Sequence, residues 1–97
     1  MAIYIKTEHF TKAAENLSNK QRTTYINQHK EWVNSLKKAG FNIKSGYLVN
    51  KDLQPGGGGL MIIEVDNYDI AENIIRNDPM IKNKLVEWEL HEWIKVD

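Results

Sequence analysis

His29 and Asp78 are the two residues of this chain whose types and settings point to chemistry. Tyr25, His29, Trp32 and Leu36 recur at i, i+4, i+7 and i+11, so the imidazole lies on the apolar stripe of a helix. A buried imidazole needs partners for both ring nitrogens. Asp78 follows the Ile74–Ile75 stripe and precedes Pro79. That position reads as the C-terminal end of a helix, where the macrodipole disfavours an anion. A carboxylate held there invites a cation or an imidazolium. If the two side chains meet, the aspartate fixes the tautomer of the ring and orients it, which makes a proton-transfer dyad. Each residue also has a plainer reading. His29 is then a satisfied core histidine, and Asp78 belongs to an Asp-Pro turn that stops a helix.

The remaining candidates are weaker. His9 and His91 share no metal-ligand spacing with each other or with His29. Glu87 and Glu89 stand beside His91, but a solvated or barrel-lining face accounts for them more simply. Neither a metal nor an organic cofactor is expected. Gly56–Gly59 lacks a following Lys-Ser or Lys-Thr and leads into a strand, so it is no phosphate loop. It reads as a flexible hairpin connection. Ser18, Ser35 and Ser45 read as caps or element positions, not as nucleophiles. Trp32, Trp88 and Trp93 read as core or interface aromatics.

Patterning supplies the elements that must position the pair. Residues 2–7 alternate as a strand, with Ile3 and Ile5 on one face and Tyr4 and Lys6 on the other. Phe10, Ala13, Ala14 and Leu17 predict a short amphipathic helix over 9–17. Ser18 and Gln21 form a capping box for a longer helix bearing Tyr25, Ile26, Trp32, Val33, Leu36 and Ala39, with Gly40 as its left-handed stop. Residues 41–50 alternate as a strand, with Phe41, Ile43, Ser45, Tyr47 and Val49 sharing a face. A turn over 51–59, an inner strand over 60–65, a helix from 66–69 to Pro79 and a last strand over 84–96 complete the chain. The order predicts an α+β domain spanning residues 1–97: a ferredoxin-like βαββαβ fold with a four-stranded antiparallel sheet.

Two helices cover one face of such a sheet. The other is expected to present Tyr4, Lys6, Leu48, Leu60, Ile62, Glu64, Glu87, His91 and Trp93. That mixture is too apolar for open water, and a homodimer packed through the sheet faces buries it. Length supports this expectation, because 97 residues bury roughly 60–65 % of the unfolded surface and gain from a partner.

Composition excludes several classes. Thirteen Lys and Arg balance thirteen Asp and Glu, so the chain has no net basic field for nucleic acid or an anionic membrane. The absence of cysteine removes disulfides, thiolate metal sites and thiol nucleophiles. The N-terminus carries no apolar signal region and no run spans a bilayer, so a cytoplasmic protein without membrane partners is expected.

His29, Gly40 eleven residues later, Gly46 six further on, the glycine-containing turn into an apolar strand, Asp78-Pro79 and a last strand ending near Trp93 together resemble the YciI-like, or YCII-related, family. The resemblance covers about residues 1–95. It implies ferredoxin-like protomers paired into a dimeric α+β barrel. It also implies a cleft in which His29 and Asp78 meet as the catalytic pair, with Gly46, Tyr47 and Trp93 as substrate-binding residues. Relatives and similar barrels act on small, often aromatic or lactone-like compounds. The chain departs from the family at Tyr47, where proline is usual, and at Ile26, where arginine is frequent and Arg22 is the nearest here. Lys84 stands where the family often has glycine, and the segment before His29 is longer than usual.

The expected function is general acid/base chemistry, isomerisation, elimination or lyase-type, on a small cyclic or aromatic molecule. A non-catalytic metabolite-binding module is the alternative. A cofactor-free monooxygenase or haem-handling barrel is a third reading, kept open by His91 and Trp93.

Overall fold

The computed structural model describes residues 1–97. Its elements are β1 (Ala2–Phe10), α1 (Lys12–Glu15), α2 (Asn19–Lys38), β2 (Asn42–Val49), β3 (Pro55–Val65), α3 (Tyr68–Ile75), α4 (Pro79–Lys82) and β4 (Val86–Glu92). The four strands form one antiparallel sheet in the order β2-β3-β1-β4. This is the expected ferredoxin-like arrangement, with two single-turn helices added.

The long helix forms where its local signals place it. Ser18 accepts from the Gln21 amide, and the Gln21 side chain accepts from the Ser18 amide. At the other end Gly40 takes φ 97°. Its amide donates to Lys37, and the Phe41 amide donates to Leu36, closing a Schellman motif. Val33, Trp32 and Leu36 then pack on Ile43, Met61 and Ile63 of the sheet, with Ala71 and Ile75 of α3 beside them.

Several boundaries and one strand face differ from the sequence expectation. β1 continues to Phe10, so the first helix shortens to Lys12–Glu15, capped by Thr11. β4 ends at Glu92, and Trp93 is held by its amide donating to Ile3. Gly56–Gly59 is not a flexible connection but the first part of β3, opposite β1 and β2. The turn is built instead by Asn50, whose side chain accepts from the amides of Asp52 and Gln54. The glycines are needed because backbones crowd there. A Cβ on Gly58, at φ 83°, would collide with the Glu8 carbonyl oxygen, and one on Gly57 would meet the Leu48 side chain.

The larger correction concerns β1. Tyr4 and Lys6 point to the helices, not to the open face, and both are buried. Register forces this outcome. Lys6 stands opposite Met61, and Tyr4 opposite Ile63, both in the core. Residues directly opposite in a ladder share a face. Ile3 and Ile5 therefore join Leu60, Ile62, Glu64 and His91 on the uncovered side.

Gly58→Ala is expected to destabilise the fold by about 1–3 kcal/mol through strain and overpacking. Gly46→Ala, where a Cβ meets nothing, is expected to stay within about 0.5 kcal/mol. Urea unfolding of the two variants checks the contrast.

Candidate functional site

Four elements converge beneath α2. β1 supplies Lys6 and β2 supplies Ser45, on either side of Met61 in one cross-sheet row. α2 supplies His29 from above. The junction between α3 and α4 supplies Asp78.

Asp78 does not sit in the unfavourable field expected for it. α3 ends at Ile75, and Pro79 opens a new turn of helix instead of merely ending the old one. Proline suits the first helical position because its missing N–H would be unpaired there. Asp78 becomes the N-cap of α4, with Oδ1 accepting from the Met80 amide at 3.0 Å. An anion is favoured at that end of a helix.

The same oxygen accepts from His29 Nδ1 at 2.9 Å, and Oδ2 accepts from Lys6 Nζ at 3.0 Å. Lys6 also donates to Glu8 Oε1 at 2.8 Å. Asp78 is 0 % exposed, Lys6 1 % and the His29 side chain 18 %. Burial alone would push the Asp78 carboxyl up. The hydrogen bond from His29, the Lys6 ammonium and the Met80 amide outweigh burial and hold it below the ordinary carboxylate range.

An ionised carboxylate only accepts hydrogen bonds, so Nδ1 carries the ring hydrogen. In the neutral ring that leaves Nε2 as an acceptor, 3.1 Å from the exposed Ser45 hydroxyl, which then donates to it. Trp32 flanks the ring with centroids 5.8 Å apart. When neutral, the ring is locked from behind and presents one unprotonated nitrogen toward the exposed Ser45 hydroxyl. A group so held can take a proton and return it.

The chain matches the model of the YCII-related domain over residues 2–94. It belongs to the YCII-related family. No curated protein matches the chain in sequence. Among solved structures it is similar to 5-chloro-2-hydroxyhydroquinone dehydrochlorinase from Burkholderia phenoliruptrix, in complex with 2,5-dihydroxybenzoquinone. The TM-score is 0.67 at 18 % identity, over 95 % of this chain and 93 % of the other. It is also similar to an ethyl tert-butyl ether D family protein from Bacillus halodurans, with a TM-score of 0.56 at 15 % identity, over 97 % and 100 % of the two chains. Both likenesses speak for the ferredoxin-like fold of this YCII-related chain.

The other sequence-derived candidates scatter. Gly46 and Tyr47 line a shallow hollow of about 150 Å³ at the β2 edge with Lys44, Ser45, Leu48, Leu60 and Ile62. Lys44, Gly46, Leu60 and Ile62 belong to the open face, across the sheet from His29. Trp93 follows β4 at the opposite edge of the sheet and does not join that hollow. His91 faces the open side opposite Ile5, and His9 is exposed near Gly58. No three His, Asp or Glu side chains cluster as metal ligands, and no helix is long and apolar enough to cross a membrane. Ser45 and Lys6 are the site residues that pattern reading passed over. Ser45 was legible as a polar residue on a core-facing strand position. Lys6 carried no such signal, because a lysine reads as solvent-facing. Lys84, in place of the family's frequent glycine, takes the left-handed φ of 57°.

Asp78→Asn is expected to cost about 3 kcal/mol at neutral pH, since it leaves a buried cation short of a partner. The folded carboxyl titrates below its unfolded value of about 3.9. Its contribution is therefore complete above that value and disappears as pH falls toward the folded one. Denaturant midpoints should differ clearly at about pH 5 and above and converge as pH falls below about 4.

Proposed function

We propose that this YCII-related chain is a small-molecule enzyme that uses His29 as general acid/base and Asp78 as the group that orients it. The substrate is a small cyclic or aromatic compound bearing an acidic O–H or C–H. The reaction is an isomerisation or elimination begun by proton removal. The observation carrying this reading is the asymmetry of the ring: Nδ1 bound to a fully buried carboxylate, Nε2 facing an exposed hydroxyl. The Ser45 hydroxyl stands where the reacting group of a substrate would sit. Tyr47 shares the Ser45 face of β2 and adjoins it, whereas Gly46 pairs with Leu60 on the open face and Trp93 follows β4 at the far edge, so neither of these two lines the site within one protomer. The dehydrochlorinase with a similar fold, whose name denotes loss of hydrogen chloride from a hydroxylated ring, supports elimination as the reaction class.

A panel of hydroxylated benzenes, quinones and lactones, screened by thermal shift and then by chromatography for conversion, tests the proposal. A converted hit is expected, with His29→Ala lowering its turnover by about 10²–10⁴-fold. Hits that bind and emerge unaltered would make the protein a metabolite-binding module. Conversion at the wild-type rate by His29→Ala would reject the assigned base.

The partner in this reading is a second copy, joined through the open sheet face. Ile3, Ile5, Leu60 and Ile62 form its apolar centre, rimmed by Glu64 and His91. At about 25 cal/mol per Å², burying this centre favours association by several kcal/mol. Sedimentation equilibrium at micromolar concentration should give twice the protomer mass, and Ile62→Glu should give the protomer. A monomeric wild type would end the pairing.

A further inference from the structure

The chemistry proposed above makes no use of Lys6, yet Lys6 is among the most deeply buried side chains of the molecule. Its ammonium lies between Glu8 Oε1 at 2.8 Å and Asp78 Oδ2 at 3.0 Å. Asp78 thus divides its two oxygens between two cation-forming groups, Lys6 on Oδ2 and His29 on Oδ1. The hydrophobic pattern gives no reason for a lysine here. Its neighbours across the ladder are Met61 and Leu90, and an aliphatic side chain would fill the position without the desolvation of an ammonium.

We propose that Lys6 is a positioning residue of the His29–Asp78 pair. By holding Oδ2, and by being held in turn by Glu8, it balances the buried carboxylate so that His29 can stand neutral with Nε2 open. The inference rests on the reading of His29 as a proton carrier. Its physics is charge compensation. A buried carboxylate without a cation draws a proton to the nearest group able to take one. Here that group is His29, and an imidazolium has no base to offer. The charged groups around the ring are Asp78 at the start of α4 and, behind it on β1, Lys6 and Glu8. β2 contributes the uncharged Ser45 hydroxyl, and α2 itself contributes the Trp32 ring.

Glu8 gives the proposal a second, opposite handle. Its carboxylate neutralises part of the Lys6 charge. Removing Glu8 leaves more of that charge acting on Asp78 and His29, and removing Lys6 leaves none.

The test is the ¹⁵N spectrum of the His29 ring in the full chain, followed between about pH 5 and 9, where imidazoles titrate. Lys6→Met should keep the ring doubly protonated about one pH unit or more further up the titration, a tenfold or greater gain in proton affinity. Glu8→Gln should move the titration the other way. A purely structural lysine would leave both titrations where the wild type has them. A folded Lys6→Met with the wild-type titration overturns the proposal. Should Lys6→Met fail to fold, Glu8→Gln decides alone, and an unmoved titration in that variant overturns it. Asp78→Asn separates this inference from the one beneath it. A wild-type ring titration in Asp78→Asn would show that His29 does not sense its carboxylate, and the dyad itself would fall.

Discussion

A carboxylate and an ammonium that are both shut away from water set the terms for the rest of this molecule. Each loses hydration worth several kcal/mol, and their mutual attraction returns it only with good geometry and further hydrogen bonds. Asp78 and Lys6 meet that condition. The carboxylate accepts from a helix amide, an imidazole and the ammonium, and the ammonium reaches a second carboxylate. No buried side-chain polar atom is left without a partner. The net contribution to stability is small beside the gross terms. The larger effect is on specificity. A slip of β1 by one residue would turn Lys6 to the open face and leave Asp78 facing Ile5 or Thr7, neither of them a cation. The cluster therefore pins the register of a central strand whose two faces are both partly apolar.

Turning Lys6 and Tyr4 inward also turns Ile3 and Ile5 outward. The interior polar cluster and the apolar open face are consequences of one choice of strand parity. β1 runs between β3 and β4, so its outward isoleucines lie in the middle of the sheet, not at an edge. Ile5 stands beside Ile62 on one side and His91 on the other. Such a strip is a poor surface for water and a good one for a self-complementary copy. The ionic site on one side of the sheet and the assembly proposed for the other are thus linked through the same strand.

The parts of this architecture that were legible in the sequence are those written in local chemistry. The capping box at Ser18, the stripe through Tyr25, Trp32 and Leu36, and the stop at Gly40 define α2 without reference to anything distant. The faces of β2 follow from alternation, and the order of elements gives the sheet. The pairing of His29 with Asp78 was legible as a possibility, because one sits on an apolar stripe and the other beside a helix-breaking proline. The illegible parts depend on partners far away in the chain. Alternation states that Ile3 and Ile5 share a face but not which one, and the decision came from Asp78, seventy-two residues from Lys6. Pro79 ends one helix and begins another, and the second role turned the expected dipole penalty at Asp78 into a stabilising cap. The glycine run belongs to a strand because Glu8 and Leu48 crowd it, which composition cannot report. Ser45 was visible as a polar residue on a core-facing strand position, but nothing local reported that it faces Nε2.

Exposure across the site falls along a gradient that matches the roles proposed for its residues. Asp78 and Lys6 sit in the dry interior, His29 is partly open, and Ser45 is at the surface. Charge that must not be lost to water is kept at the back, where a fixed environment strengthens it. Nε2, the atom that the proposed reading gives to a substrate, is at the front. The elements carrying the inner groups are two packed helices and a central strand, while Gly46 and Tyr47 lie on the edge strand β2, beside a bulge between Tyr47 and Val49. An edge strand has one free side and fewer neighbours to constrain it. Changes there alter the wall of the hollow without disturbing the ionic core. Tyr47 and Ile26, where this chain departs from the pattern of its family, both lie at exposed positions and outside the buried cluster. On this arrangement the buried ionic cluster and the exposed edge strand are free to vary separately.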